Sequence, residues 1–365
     1  MKAIHAVIED ATGTESVQVV HSLSGESSPH VILHIGTEKT GSTAIQNYLA
    51  ANKELFLSNG IAPLGEFILK DTFNNLALTL AAKENAGDDI GQYRRDSFQE
   101  FRCRVRQEII SVTEDLARSD GSTVICSSEH LSSRLIERED VESLRELFPA
   151  NCSFGVVVYL RRQDQLLLGM QAEGIKAGAS SLRVPRADEL DPGRPYGIRY
   201  FDYEKLLEPW EYVFGRDAIT VRVYDTNDLQ FGDVISDFVA TIGLSASMIA
   251  GGRESDEPNS RLSPESLWFL AQINPHISAN ARARICNLLV RDDPFPRGSL
   301  LRLSELAEFY GNFADSNARV AMKYLGRKTL FDEGKMELRE YTSPRTMPND
   351  EFIRLVAHVV NLLAG

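Results

Sequence analysis

Residues 31–43 read Val-Ile-Leu-His-Ile-Gly-Thr-Glu-Lys-Thr-Gly-Ser-Thr, and the chain continues Ala44-Ile45-Gln46-Asn47-Tyr48-Leu49. A short apolar run that stops at Gly36 and gives way to apolar residues three and four positions apart predicts a strand, a tight loop and a helix. Ile45, Tyr48, Leu49 and Phe56 share one face of that helix, and Gly60 supplies its stop. The stretch Gly36 to Thr43 holds two glycines, four threonines or serines, and one lysine. A loop of this kind offers successive backbone N–H groups to an anion at the positive end of a helix.

Working outward, three more apolar runs follow at Thr123 to Ser127, Phe154 to Leu160 and Ile219 to Tyr224. Helical patterns separate them: Phe98 to Leu116, a stretch ending near Phe148, Arg162 to about Gly178, and Tyr203 to Phe214 with Pro209 inside it. Strands that are apolar throughout and alternate with helices form a parallel sheet buried on both faces. The predicted fold class is α/β, a P-loop-type parallel sheet flanked by helices with a largely helical C-terminal third. Ser263-Pro264 reads as a helix cap and first helical residue, and Phe352, Val356, Val359, Val360 and Leu363 form a last amphipathic face. Residues 1–30 read as an extension, with Ala3 to Val7 and Val17 to Val20 as a hairpin followed by a linker. Residues 31–330 then form the α/β domain and 331–365 a tail and helix. An exposed hairpin edge makes the extension a candidate homodimer contact.

Of 365 residues 43% are hydrophobic and 25% charged, which excludes collagen-like, coiled-coil and wholly disordered chains. Lys and Arg number 39 against 52 Asp and Glu, a formal charge of -13, which argues against nucleic-acid or anionic-membrane partners. An anionic ligand therefore needs a locally basic pocket. Cys103, Cys126, Cys152 and Cys286 are scattered without a C-x-x-C pair, so neither a zinc site nor a disulfide framework is expected, and a reducing compartment fits. No apolar run is long enough for a leader peptide or a bilayer span, so the expected location is cytoplasmic. Arg94, Arg95, Arg102, Arg104 and Arg106 read as the solvated face of the long helix.

The loop differs from a Walker A motif in one respect: the residue after Gly41 is Ser42, and the lysine sits inside the loop at Lys39. That displacement points away from ordinary nucleotide hydrolysis. The stretch HIGTEKTGSTAIQNYLAANKELFLSNGI resembles the phosphosulfate-binding segment of the P-loop sulfotransferases, in particular their bacterial, carbohydrate-sulfotransferase-like branch. The resemblance extends through VVVYLRRQDQLLLGMQAEGIKAG, YEKLLEPWEYVFGRDAITVRVYD and SNARVAMKYLG, roughly Val31 to Gly326.

This resemblance implies transfer of a sulfuryl group from 3′-phosphoadenosine 5′-phosphosulfate (PAPS) to a hydroxyl or amine of a glycan, glycolipid or small acceptor, with 3′-phosphoadenosine 5′-phosphate (PAP) as product and no metal. It implies that Thr37, Lys39, Thr40, Gly41, Ser42 and Thr43 bind the 5′-phosphosulfate, with Lys39 also catalytic. It further implies that Arg161 and the position of Gly169, eight residues on, take the 3′-phosphate; the family places a serine where this chain has glycine. In VICSSEHLSS, Glu129 is the first candidate for the base and His130 the second. The loop from Gly178 to Arg199, carrying Arg183, Arg186, Arg194 and Arg199, is a candidate acceptor cover. Two other readings stand beside this one. Asp225, ending an apolar strand, would suit a P-loop kinase or NTPase, and loss of the family serine at Gly169 would suit a nucleotide-binding protein without activity.

Overall fold

The computed structural model describes residues 29–65, 76–86, 96–118, 123–180, 183–194, 196–244, 262–295, 298–299, 301–332, 354–356 and 358–359, and the backbone of 4–9 and 15–20. In the N-terminal hairpin, β1 (Ile4–Glu9) pairs antiparallel with β2 (Glu15–Val20), Val7 opposite Val17. Five further strands form one parallel sheet: β3 (His30–His34), β4 (Ile61–Leu64), β5 (Thr123–Ser127), β6 (Ser153–Leu160) and β7 (Ile219–Val223). Their spatial order is β4-β5-β3-β6-β7, with every neighbouring pair parallel. From β3 the chain first builds one side of the sheet and then crosses to the other. The crevice beyond the C-terminal end of β3 is therefore the switch point where an α/β sheet takes its ligand.

Side chains alternate across the strands. Val31, Leu33, Val124, Cys126, Val156 and Val158 pack into one core, while Ile32, Ile125, Val157 and Tyr159 pack into another on the opposite face. Both faces are buried, which is why these runs read as continuously apolar. The strand β4 has no counterpart among the expected elements. Its four residues, Ile-Ala-Pro-Leu, contain Pro63, which an edge strand tolerates because one of its sides makes no ladder bonds.

Helices α1 (Ser42–Ala51) and α2 (Lys53–Ser58) follow β3. They were expected as one helix, but Asn52 interrupts it, its Nδ2 donating to the Tyr48 carbonyl at 2.9 Å. Next come α3 (Leu76–Ala82), α4 (Phe98–Arg118), α5 (His130–Arg134), α6 (Arg138–Arg145) and α7 (Gln163–Ala177). The chain continues with α8 (Ile198–Phe201), α9 (Tyr203–Phe214), which holds Pro209 buried, and α10 (Val234–Thr241). Beyond Gly243 the described residues are mostly helical, as expected: α11 (Pro264–Ile273), α12 (Ala279–Arg291), α13 (Leu303–Gly311) and α14 (Ala314–Val320). Ser263 caps α11, its Oγ accepting from the Ser266 N–H at 3.1 Å.

Arg102 departs from the solvated face expected of α4. Its guanidinium donates to the Ala81 carbonyl and the Ser143 hydroxyl, both at 2.8 Å, and pairs with Glu146 at 2.9 Å, tying α3, α4 and α6 together. Arg94 and Arg95 lie outside the described residues. Val356 and Val359 of the last amphipathic face fall in short helical turns, while Phe352, Val360 and Leu363 also lie outside. All four cysteines are free. No helix among the described residues is long and apolar enough to cross a membrane.

Candidate active site

The loop after β3 is an extension of the sheet that turns sharply. Ile35 and Thr37 each donate a backbone hydrogen bond at 3.0 Å to β6, to Val157 and Tyr159, and the Tyr159 N–H returns one to the Gly36 carbonyl at 2.7 Å. Gly36 and Gly41 both take positive φ, 96° and 80°, where a side chain is disfavoured. A Cβ on Gly36 would lie 2.9 Å from Glu129 Cα, and one on Gly41 the same distance from Val234 Cγ1. The loop is thus fitted between the β5 end and α10. Thr37 Oγ1 donates to the Tyr159 carbonyl at 3.1 Å and Thr40 Oγ1 to the Thr37 carbonyl at 2.6 Å. These two hydroxyls, expected as ligands, brace the loop in this structure. Gly41 is the N-cap of α1, and no side chain caps that terminus, so the first-turn N–H groups of α1, beginning at Ser42 and Thr43, keep the polarity that suits an anion.

A basic side flanks the loop. Arg161, just past β6, donates through Nη1 to the Lys39 carbonyl at 2.8 Å and through Nε to Gln165 at 3.2 Å. Arg162 turns the other way, paired with the buried Asp164 at 2.9 Å and stacked over Tyr310. Lys39, at φ 60°, is a non-glycine residue in the left-handed region, a conformation that costs about 1 kcal/mol. Its ammonium lies 3.0 Å from a Glu173 carboxylate oxygen, and its stem runs over Gly169, 3.1 Å from where a Cβ would sit. Gly169 therefore faces the loop lysine.

The opposite side is built from carboxylates and tyrosines. Glu129 precedes α5, and its Oε2 accepts from Gln46 Nε2 of α1 at 2.7 Å. His130 begins α5 and is half-buried. Glu38 is turned inward: its N–H donates to the Tyr200 hydroxyl at 2.9 Å, and that hydroxyl donates to Glu38 Oε2. Burial pushes the Glu38 pKa up to about 7; the Ser133 and Tyr196 hydroxyls oppose the rise, Glu129 adds to it and Arg134 opposes it. Arg134 is itself buried, its guanidinium 4.6 Å from the Tyr196 ring centre. His34, although it leads into the loop, is a core residue. It shares a hydrogen bond with Ser127 at 2.8 Å, and burial lowers its pKa to about 3.

The structure thus gathers Lys39, Gly41, Ser42, Thr43, Arg161, Gly169 and Glu129 around one loop. Glu38, Gln46, Arg134, Tyr196, Tyr200 and Glu173 join them without having been singled out. Glu38 lay within the decisive motif, but nothing in its spacing says which way its side chain turns. Asp225 follows β7, where its Oδ1 accepts from the Asn227 N–H at 3.0 Å in its own turn, while its neighbour Tyr224 lies against Gly41 of the loop and under Arg161. The arginines of the 178–199 segment are charge-paired: Arg183 with Glu189, Arg186 with Asp188, Arg194 with Asp191 and Arg199 with Glu137. The segment meets the site through Tyr196 instead, and Tyr200 lies just beyond its end.

No family model matches the chain. It is 29% identical over 207 residues to an uncharacterized protein of Archaeoglobus fulgidus, a match covering 55% of this chain and 54% of that one. The chain therefore spans about half the length of this curated relative. Among solved structures, a sulfotransferase from Alicyclobacillus acidocaldarius is similar over 70% of this chain and 96% of its own, at 14% identity and a TM-score of 0.37.

Proposed function

We propose that the chain is a PAPS-dependent sulfotransferase that sulfates a hydroxyl or amine of a saccharide, glycolipid or other small acceptor in the cytoplasm. The observation that carries this reading is the loop itself: a lysine held inside it rather than at the helix start, with Arg161 bonded to that lysine's carbonyl. The residues suit a doubly phosphorylated donor. The N–H groups at the start of α1 and the Lys39 ammonium favour the 5′-phosphosulfate, and Arg161 favours the 3′-phosphate.

PAPS supplies the sulfuryl group already activated, so the protein's tasks are alignment, proton removal and charge neutralisation. Glu129, oriented by Gln46, removes the acceptor proton as the new S–O bond forms. Lys39 neutralises charge on the oxygen that leaves with the phosphate. A P-loop kinase or NTPase fits less well, because Ser42 stands where such an enzyme keeps its lysine. Incubation with labelled PAPS and a panel of glycans, glycolipids and phenols tests the proposal. Label transferred to an acceptor supports it; PAP binding without transfer to any of them supports the nucleotide-binding reading instead.

A further inference from the structure

One face of α7 follows the loop lysine along its length. Gln165, Gly169 and Glu173 are four residues apart on α7, the spacing that stacks side chains on one side of a helix, and Arg161 precedes them by the same interval just before the helix begins. Arg161, steadied by Gln165, holds the Lys39 carbonyl at 2.8 Å; Gly169 leaves room for the stem; Glu173 takes the ammonium at 3.0 Å. Glu173 also accepts from Lys176 at 3.0 Å, so it has a second cation when Lys39 leaves. The Lys39 and Glu173 side chains are 32% and 46% exposed, and an ion pair this open to water is weak enough to exchange.

We infer that Glu173 is a positioning residue that holds Lys39 on α7 when the loop is empty and releases it to an arriving phosphate. This rests on the phosphate-loop reading and extends it, because it assigns the glycine at 169 to packing under Lys39. Donor phosphates and Glu173 compete for one ammonium, so donor affinity is set partly by a carboxylate that never touches the donor. Burial opposes ionisation of Glu173, but Lys39 and Lys176 outweigh it and hold its pKa below the usual range, so it competes as an anion at neutral pH.

The test is a double-mutant cycle on anion affinity, measured by calorimetry with PAP and, separately, with pyrophosphate. Glu173→Gln should tighten binding roughly two- to fivefold in the otherwise wild-type protein. In a Lys39→Ala background the same change should have no effect. Thermal melts without ligand check that all four proteins fold alike. Unchanged or weaker binding by Glu173→Gln would overturn the inference, and so would equal tightening in both backgrounds, which would place Glu173 against the ligand itself. Pyrophosphate binding with no PAP binding would remove the donor assignment while the cycle is still read with pyrophosphate. Binding of neither would overturn both.

Discussion

Glu38 and Lys39 are consecutive residues of one loop, yet they live in different solvents. Lys39 lies along α7 with about a third of its side chain exposed and an exchangeable partner. Glu38 is enclosed by α5 and the Tyr196–Tyr200 turn, with one oxygen taken by Tyr200 and the Ser133 and Tyr196 hydroxyls beside the carboxyl. The contrast separates two kinds of charge in a site. An exposed ion pair contributes little to folding and can change partners during turnover, whereas a buried carboxylate adjusts its protonation rather than its position.

The largest effect on this contrast should come from Glu129, which stands on the carboxylate side but is only half-buried. Glu129→Gln should lower sulfuryl transfer roughly a hundred- to ten-thousandfold, with His130→Asn the milder change. If the order reverses in single-turnover assays, the histidine is the base. Lys39→Ala should cost about a hundredfold or more in the same assay with the melting temperature unchanged, since its work is on developing charge. A variant at near wild-type rate would remove Lys39 from the mechanism.

Glu38 should announce itself in stability rather than in rate. Its carboxyl prefers its proton in the folded state, with a pKa moved from 4.5 to about 7, so the folded protein binds more protons than the unfolded chain across that interval. That contribution is complete below the lower value and is lost as pH rises through the upper one. It amounts to about 3 kcal/mol. Denaturant titrations between pH 4.5 and 7 should therefore show wild type losing stability relative to Glu38→Gln as pH rises. Parallel curves would mean that Glu38 is ionised throughout.

The smallest effect belongs to Gly169→Ser. The new side chain would crowd the Lys39 stem and add a hydroxyl near the loop, and both changes favour an anion over Glu173, so PAP affinity should rise severalfold by calorimetry. Weaker binding would mean that Lys39 needs its place on α7 when the donor is bound.

Much of this arrangement could be read in the sequence because it depends on local patterns. The apolar runs at Val31, Thr123, Phe154 and Ile219 all became strands of one parallel sheet, and the loop fell at its switch point. The strand with Pro63 was hidden because its evidence is pairing with β5, not composition. Arg161 and Arg162 look alike as neighbours; Asp164 at the start of α7 draws one away and leaves the other to the loop. The Lys39–Glu173 pair and the enclosure of Glu38 depend on the phase of α7 and on a turn more than 150 residues from the loop, as the Glu38–Tyr200 separation of 162 shows. No short window of sequence contains that information.

The central claim is that this loop, with Arg161, is built for a nucleotide bearing phosphates at both ends. Calorimetric titration with PAP and with AMP at one salt concentration tests it most directly. PAP should bind more tightly than AMP, the difference should disappear in Arg161→Ala, and saturating PAP should raise the melting temperature. Equal, weak binding of the two nucleotides would contradict it.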